Sequence, residues 1–152
     1  MWAVWALHLH AAAATPPLSR AWLPLMRAVP AVPAVPATPT SADCHLSNFT
    51  QRLDHFGNNS DERTFSQRFF WNDTFFTPGI GPILYYTGNE ADVTLYVNAT
   101  GLMWQHAREL GALLVWGEHR YYGETLPFGA SPSTAELRWL SVEQSLADHA
   151  AL

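Results

Sequence analysis

The chain has 152 residues and a formal net charge of −5, a length that suits one modest domain. All eight basic residues are arginines and they are scattered, so no basic stripe could release counterions from a phosphate backbone, and nucleic acid is excluded as a partner. No run of about eighteen apolar residues occurs, so no membrane span is expected.

The N-terminal region reads unlike a folded core. Met1 to Ala14 holds a short apolar stretch, Trp2 to Leu9, with no basic start and with His8 and His10 breaking it, which makes a marginal signal peptide. That pair of histidines gives no metal site, and no cofactor is expected anywhere in the chain. Seven of the eleven prolines lie at or before Pro39, and Val29 to Thr40 repeats Val-Pro-Ala units. Fixed φ angles and missing amide donors make such a segment an extended spacer. Residues 1–43 are therefore expected to form a disordered leader, and residues 44–152 the domain.

Two features bear on the compartment. Asn-x-Ser/Thr triplets occur at Asn48, Asn58, Asn72 and Asn98, using four of the six asparagines. That density favours a glycosylated chain of the secretory pathway, resident in lysosomes or vesicles or secreted. Cys44 is the one cysteine, so a disulfide would need a partner outside this sequence.

Phe49 to Phe56 alternates as a strand does, with Phe49, Gln51, Leu53 and His55 on one side. Gly57 to Asp61 supplies hairpin turn residues, and Thr64 to Trp71 is a second, aromatic-rich β run, giving an antiparallel opening pair. Ile83 to Tyr86 is continuously apolar or aromatic, the pattern of a strand covered on both faces. The turn Thr87-Gly88-Asn89-Glu90 follows. A helix is expected over Leu102 to Leu110, with Met103, Ala107 and Leu110 on its inner face, Thr100 capping its start and Gly111 its end. Ala112 to Trp116 is a second buried strand, so strand, helix and strand form a parallel unit. Ser141-Val142-Glu143-Gln144 has the form of a capping box opening a helix whose inner stripe is Val142, Leu146 and Ala150. This order resembles the front half of an α/β-hydrolase sheet. The fold class expected is thus α/β, the N-terminal portion of that fold, stopping before the nucleophile elbow.

Three places bear on chemistry. Gly88, Asn89 and Glu90 follow a buried strand, where open α/β sheets bind ligands, and a glycine turn there can aim N–H groups at a developing oxyanion. Glu90 and Asp92 could also meet a cationic amino terminus. Glu118 and Arg120 follow the next strand, where an ion pair could anchor the loop. His119 is read as part of that anchor, because in α/β-hydrolases the nucleophile and acid precede the histidine along the chain. Finally, no Gly-x-Ser-x-Gly occurs; Ser131 in Gly129-Ala130-Ser131-Pro132 comes nearest and fails. No catalytic residue is assigned.

Five blocks occur in order: Gln51-Arg52-Leu53-Asp54-His55-Phe56, Thr64-Phe65-Ser66-Gln67-Arg68-Phe69, Tyr86-Thr87-Gly88-Asn89-Glu90, Gly117 to Gly123 with Leu126-Pro127-Phe128-Gly129, and Glu143 to Asp148. Over residues 49 to 152 they resemble the N-terminal part of the prolyl-directed serine exopeptidases, which include dipeptidyl peptidase 2 and the lysosomal Pro-X carboxypeptidase. Gln51-Arg52-Leu53, Gly111 to Val115 and Ser141 to Gln144 look closer to the dipeptidyl peptidase, toward which the reading leans. Asn98 to Trp104 looks closer to the carboxypeptidase. The resemblance implies a Ser-Asp-His triad lying beyond Leu152, proline-containing peptide substrates and a homodimer. A non-catalytic splice product acting as a binding module is the alternative from another class. Ala91 stands where the family usually has glycine, which would strain the turn if that position needed a positive φ.

Overall fold

The alternation read from Phe49 onward is present in the computed structural model, which describes residues 38–57 and 61–152. Strand β1 spans His45–Arg52, and Gln51, with Leu53 just after it, is buried while its neighbours Thr50 and Arg52 face solvent. β2 spans Thr64–Asn72 and pairs with β1 antiparallel, from His45 opposite Trp71 to Arg52 opposite Thr64. The opening pair thus forms as expected, but β1 starts before Phe49 and ends at Arg52, so Leu53 to Phe56 belong to the connection and not to the strand.

β3 (Ile83–Tyr86) and β4 (Leu113–Gly117) lie side by side and parallel, with Ile83 opposite Leu113 and Tyr86 opposite Trp116. β4 also pairs antiparallel with β2, so the sheet order is β1-β2-β4-β3. Two helices make the crossover between β3 and β4, α1 (Val93–Ala99) and α2 (Gly101–Leu110). α1 has no counterpart in the sequence reading. Its residues, Val-Thr-Leu-Tyr-Val-Asn-Ala, favour strands, and tertiary packing overrides that preference. Asp92 starts it by accepting from the Thr94 N–H at 2.7 Å.

One face of the sheet carries the core. Phe70, Leu114 and Trp116 pack against Val93 and Val97 of α1, Trp104 and Ala107 of α2, and Ala112. The buried indoles are both satisfied: Trp104 Nε1 donates to the Val97 carbonyl at 2.9 Å and Trp116 Nε1 to Thr100 Oγ1 at 2.8 Å. Thr100 therefore does not cap α2 with its side chain; its hydroxyl donates instead to the Tyr96 carbonyl. Gly111 does end α2, in the left-handed region at φ 60°. The inner stripe of α2 is centred on Trp104 and Ala107, while Leu110 is exposed. An indole at position 104 has more area to bury than the leucine, and it turns the helix toward itself.

Two further expectations are corrected. β3 is not covered on both faces: Ile83 is 61% exposed and Leu84 to Tyr86 are half-buried, since β3 is an edge strand among the described residues. The last helix, α3 (Val142–Ala151), starts as expected, with Ser141 Oγ accepting from the Gln144 N–H. Its faces are inverted, however. Val142 and Leu146 are 71% and 59% exposed and Ala150 is exposed, whereas Gln144, Ser145 and Asp148 are buried. Buried partners on other elements, not hydrophobicity, choose the face. α3 leaves part of the second sheet face open, where Phe69, Trp71, Ile83, Tyr85, Leu113 and Val115 line an apolar cavity of about 500 Å³.

Candidate functional site

The turn after β3 is held in shape by glycine and by neighbouring backbone. Gly88 has φ 67°, and a Cβ there would lie 2.5 Å from the Gly117 carbonyl oxygen and 3.0 Å from the His119 nitrogen. The turn therefore rests directly on the end of β4. Gly88→Ala is expected to cost about 1–2 kcal/mol for the left-handed backbone alone, with the clash added. A urea titration checks it, and an unchanged midpoint would contradict the packing described. Asn89 Nδ2 donates to Tyr86 Oη at 2.8 Å, and Glu90 is exposed and forms no salt bridge among the described residues. Ala91 is not among the residues with positive φ, so the alanine there brings no backbone strain. The backbone N–H groups of Gly88, Asn89 and Glu90 find no acceptor among the described residues.

The other end of the turn is clamped by Glu118. This side chain is fully buried, and its two oxygens take five donors. Oε1 accepts from the Val93 N–H at 3.0 Å and from Arg68 Nη2; Oε2 accepts from Arg68 Nε at 3.2 Å, the Glu124 N–H at 3.0 Å and Thr125 Oγ1 at 2.8 Å. One carboxylate thus joins β2, the start of α1 and the loop after β4. Arg68 reaches on to Asp92 at 2.8 Å, so a single cation is shared by two carboxylates. Burial opposes ionisation of Asp92, but the Thr94 and Arg68 hydrogen bonds hold its carboxyl below the ordinary range.

Glu118 and Arg120 do not pair with each other, and each fastens the loop to a different element. Arg120, fully buried, grips Asp148 of α3 with both prongs, Nε to Oδ2 at 2.6 Å and Nη2 to Oδ1 at 2.7 Å. Its Nη1 donates to the carbonyls of Leu53 and Trp139 at 3.0 and 2.9 Å. Asp148 Oδ1 also meets His55 Nε2 at 2.8 Å, and the Asp148 carbonyl accepts from Gln51. Gln51 continues to Gln67, which donates to the Glu118 carbonyl. This buried polar chain explains why α3 turns its polar face inward. Directly after Arg120, Tyr121 sits at φ 70°, held by its N–H to the Thr125 carbonyl and its hydroxyl to the Glu136 carbonyl. The linking roles of Arg68, Asp148, Gln51 and Gln67 escaped the sequence reading, and Asp92, read there as a partner for a cationic amino terminus, instead caps α1 and pairs with Arg68; a polar residue inside an aromatic strand run was the available signal for Arg68 and Gln67.

His149 of α3 meets Tyr85 Oη through Nδ1 at 2.9 Å, and its Nε2 is buried with no partner among the described residues. Burial pulls its pKa down to about 4; Asp148 opposes this, while His119 and Arg120 reinforce it. In the unfolded chain the imidazole binds its proton near its ordinary value of about 6.5. Because the folded value is the lower one, the unfolded state takes up more protons between these limits. His149 therefore favours folding fully above about pH 6.5, and this contribution fades as pH falls toward 4. The urea midpoint should drop over that window, and less steeply in His149→Gln; equal slopes would argue against it.

Gly88, Asn89 and Glu90 come together in one depression of about 370 Å³, completed by Tyr96 and His119. His119 Nδ1 faces the Arg120 carbonyl at 2.7 Å, so Nδ1 carries the proton and Nε2 is the free position. A second cavity of about 190 Å³ adjoins it, lined by Thr87, Gly88, His119, Val142, Ser145, Leu146 and His149. The exposed stripe of α3 thus borders the turn. Such a wall offers N–H donors, a free carboxylate and apolar surface, but no activated nucleophile, and Ser131 is exposed on a loop. Of the glycosylation triplets, Asn48 and Asn98 are exposed and Asn58 lies outside the described residues. Asn72 is buried, and its Nδ2 donates to the Asp43 carbonyl at 2.6 Å.

Sheet, turn and clamp form one mixed α/β unit around a four-stranded sheet. Residues 51–152 match the family model described as serine carboxypeptidase S28, and the chain belongs to that family. It is 51% identical over 104 residues to the lysosomal Pro-X carboxypeptidase of Bos taurus, covering 67% of this chain and 21% of that protein. The Homo sapiens protein of the same name is 49% identical over 106 residues, covering 68% and 21%. Prolyl carboxy peptidase like protein 5 of Caenorhabditis elegans is 42% identical over 93 residues, covering 60% and 18%. The chain therefore spans about a fifth of the length of these relatives. Among the described residues no helix is long and apolar enough to cross a membrane.

Proposed function

We propose that this chain is the front of an α/β-hydrolase domain in a serine exopeptidase that cleaves peptides beside proline. The observation that carries this is the identity of about half the residues over two thirds of the chain to proteins named as Pro-X carboxypeptidases, with a family match over residues 51–152 that includes the turn, Glu118 and Arg120. The parallel β3–β4 pair with its helical crossover supports the fold. In this reading Gly88 and Asn89 are part of the oxyanion surroundings, offering N–H donors in the substrate wall, and Glu118 and Arg120 keep that wall rigid. The nucleophile, acid and histidine are supplied by sequence outside these residues. The names of the relatives support removal of a C-terminal residue that follows a proline and a lysosomal setting, while the exposed triplets at Asn48 and Asn98 support glycans there. Release of N-terminal Xaa-Pro dipeptides is the second reading, favoured by Gln51-Arg52-Leu53 and Ser141 to Gln144.

The endogenous protein, captured by antibody, should hydrolyse either a Pro-Xaa peptide or an Xaa-Pro reporter and lose that activity to a serine-reactive phosphonate. Turnover that ignores proline or survives the phosphonate would overturn the proposal. The 152-residue chain alone, with no Gly-x-Ser-x-Gly, is expected to give no turnover.

A further inference from the structure

Two of the acceptor triplets hold the same piece of chain, and they use their asparagines in opposite ways. Residues 38–44 lead into β1 through one 3-10 turn, Ser41–Asp43, which Thr40 and Asp43 cap reciprocally. Asn98, exposed at the end of α1, holds this turn through its oxygen: Oδ1 accepts from the Ser41 N–H at 2.8 Å. Its amide nitrogen forms no hydrogen bond among the described residues and is open to a sugar. Asn72 holds the turn through its nitrogen. Nδ2 donates to the Asp43 carbonyl at 2.6 Å, while Oδ1 accepts from the Thr74 N–H at 3.1 Å.

Position decides what each can accommodate. Asn72 ends β2 opposite Leu114 of β4, and it shares the core-bearing face with Phe70, two residues earlier. It is 5% exposed. The space beside it is a depression of about 250 Å³ walled by Thr38, Pro39, Asp43, Thr74, Phe75 and Trp104. An N-linked glycan is bulky and seeks solvent, and its way out from Nδ2 crosses the wall made by Thr38, Pro39 and Asp43. The same seated segment shields Cys44, which packs against the core cluster. Burial, and then the Asp43 charge, pushes that thiol up to about 11.

We propose that a glycan on Asn72 and the seating of residues 38–44 exclude each other, which makes this triplet a modification site coupled to folding. The inference rests on the secretory-pathway reading above. Sugar transfer needs an accessible acceptor, which Asn72 is before β2 joins β4 and is not afterwards. A chain modified at Asn72 keeps the segment unseated, with Ser41 away from Asn98 and the Cys44 thiol uncovered.

The test produces the 152-residue chain in mammalian cells behind a cleavable secretory signal. Enzymatic deglycosylation in heavy-oxygen water followed by peptide mass spectrometry then reads each asparagine. In the soluble chain Asn98 should be modified and Asn72 bare, with Cys44 alkylated at least about tenfold more slowly than in urea. Leu114→Asp sets an unpaired carboxylate at a fully buried position of β4 and keeps the core from closing, so there Asn72 should be modified as well. Adding Thr74→Ala removes the triplet, retains Asn72, and should return it to bare; a mark that persists reports deamidation and overturns the assignment. A modified Asn72 in soluble chain whose Cys44 stays protected overturns the exclusion. So does a bare Asn72 in the Leu114→Asp chain, since the triplet is then no acceptor. Glycans missing from Asn48 and Asn98 of the endogenous protein defeat the secretory reading instead, and the exclusion is still decided by the expressed chains.

Discussion

Replacing Arg120 with methionine is expected to lower stability by about 3–5 kcal/mol, a large share of the roughly 5–15 kcal/mol that holds a typical domain together. The reason is what remains behind. Asp148 is 1% exposed and would lose its bidentate cation, keeping only His55 beside its carboxylate. The carbonyls of Leu53 and Trp139 would lose their donors as well. Methionine fills much of the same volume, so the loss reports charge and hydrogen bonding more than a cavity. Urea unfolding followed by tryptophan fluorescence measures it. Combining Arg120→Met with Asp148→Leu removes the stranded charge, and the double variant should be less destabilised than the sum of the two single variants. A sum that closes would mean the pair is not coupled.

Glu118→Gln is the second large effect, expected at about 3 kcal/mol. Glutamine has nearly the same shape, yet one of its two ends is a donor. Oε1 and Oε2 both accept now, so any orientation of the amide sets an N–H against another donor: Val93 N–H and Arg68 on one side, Arg68, Glu124 N–H and Thr125 hydroxyl on the other. Arg68 would fall back on Asp92 alone. The change should also be seen locally. Faster amide exchange at Val93 and Glu124 would mark release of the turn and the loop, ahead of global unfolding. A small midpoint shift with protected amides would show that Arg68 and Asp92 suffice to hold the turn.

These two residues also show where the sequence speaks and where it does not. That Glu118 and Arg120 need partners was legible because both follow a buried strand, but the ion pair expected there does not form between them. The partners themselves were not legible. Arg68 lies 50 residues from Glu118, Asp148 lies 28 from Arg120, and His55 lies 93 from Asp148. No local pattern encodes such separations. The turn Gly88-Asn89-Glu90 was placed correctly at a strand end, whereas its companions Tyr96 and His119 arrive from a helix that strand-favouring residues disguised and from a loop after β4.

Periodicity and turn chemistry settled β1, β2, β3 and β4, the parallel pairing, and the glycine stop at Gly111, because each follows from a few neighbouring residues and the backbone geometry they allow. Packing settled the rest: the helix Val93–Ala99, the half-open faces of β3, and the inward side of α3. Hydrophobic patterning alone would bury Val142 and Leu146 there. A buried guanidinium leaves no such freedom, since stranding Arg120 without Asp148 costs about 3–5 kcal/mol, whereas apolar side chains such as Val142 and Leu146 are tolerated at the surface.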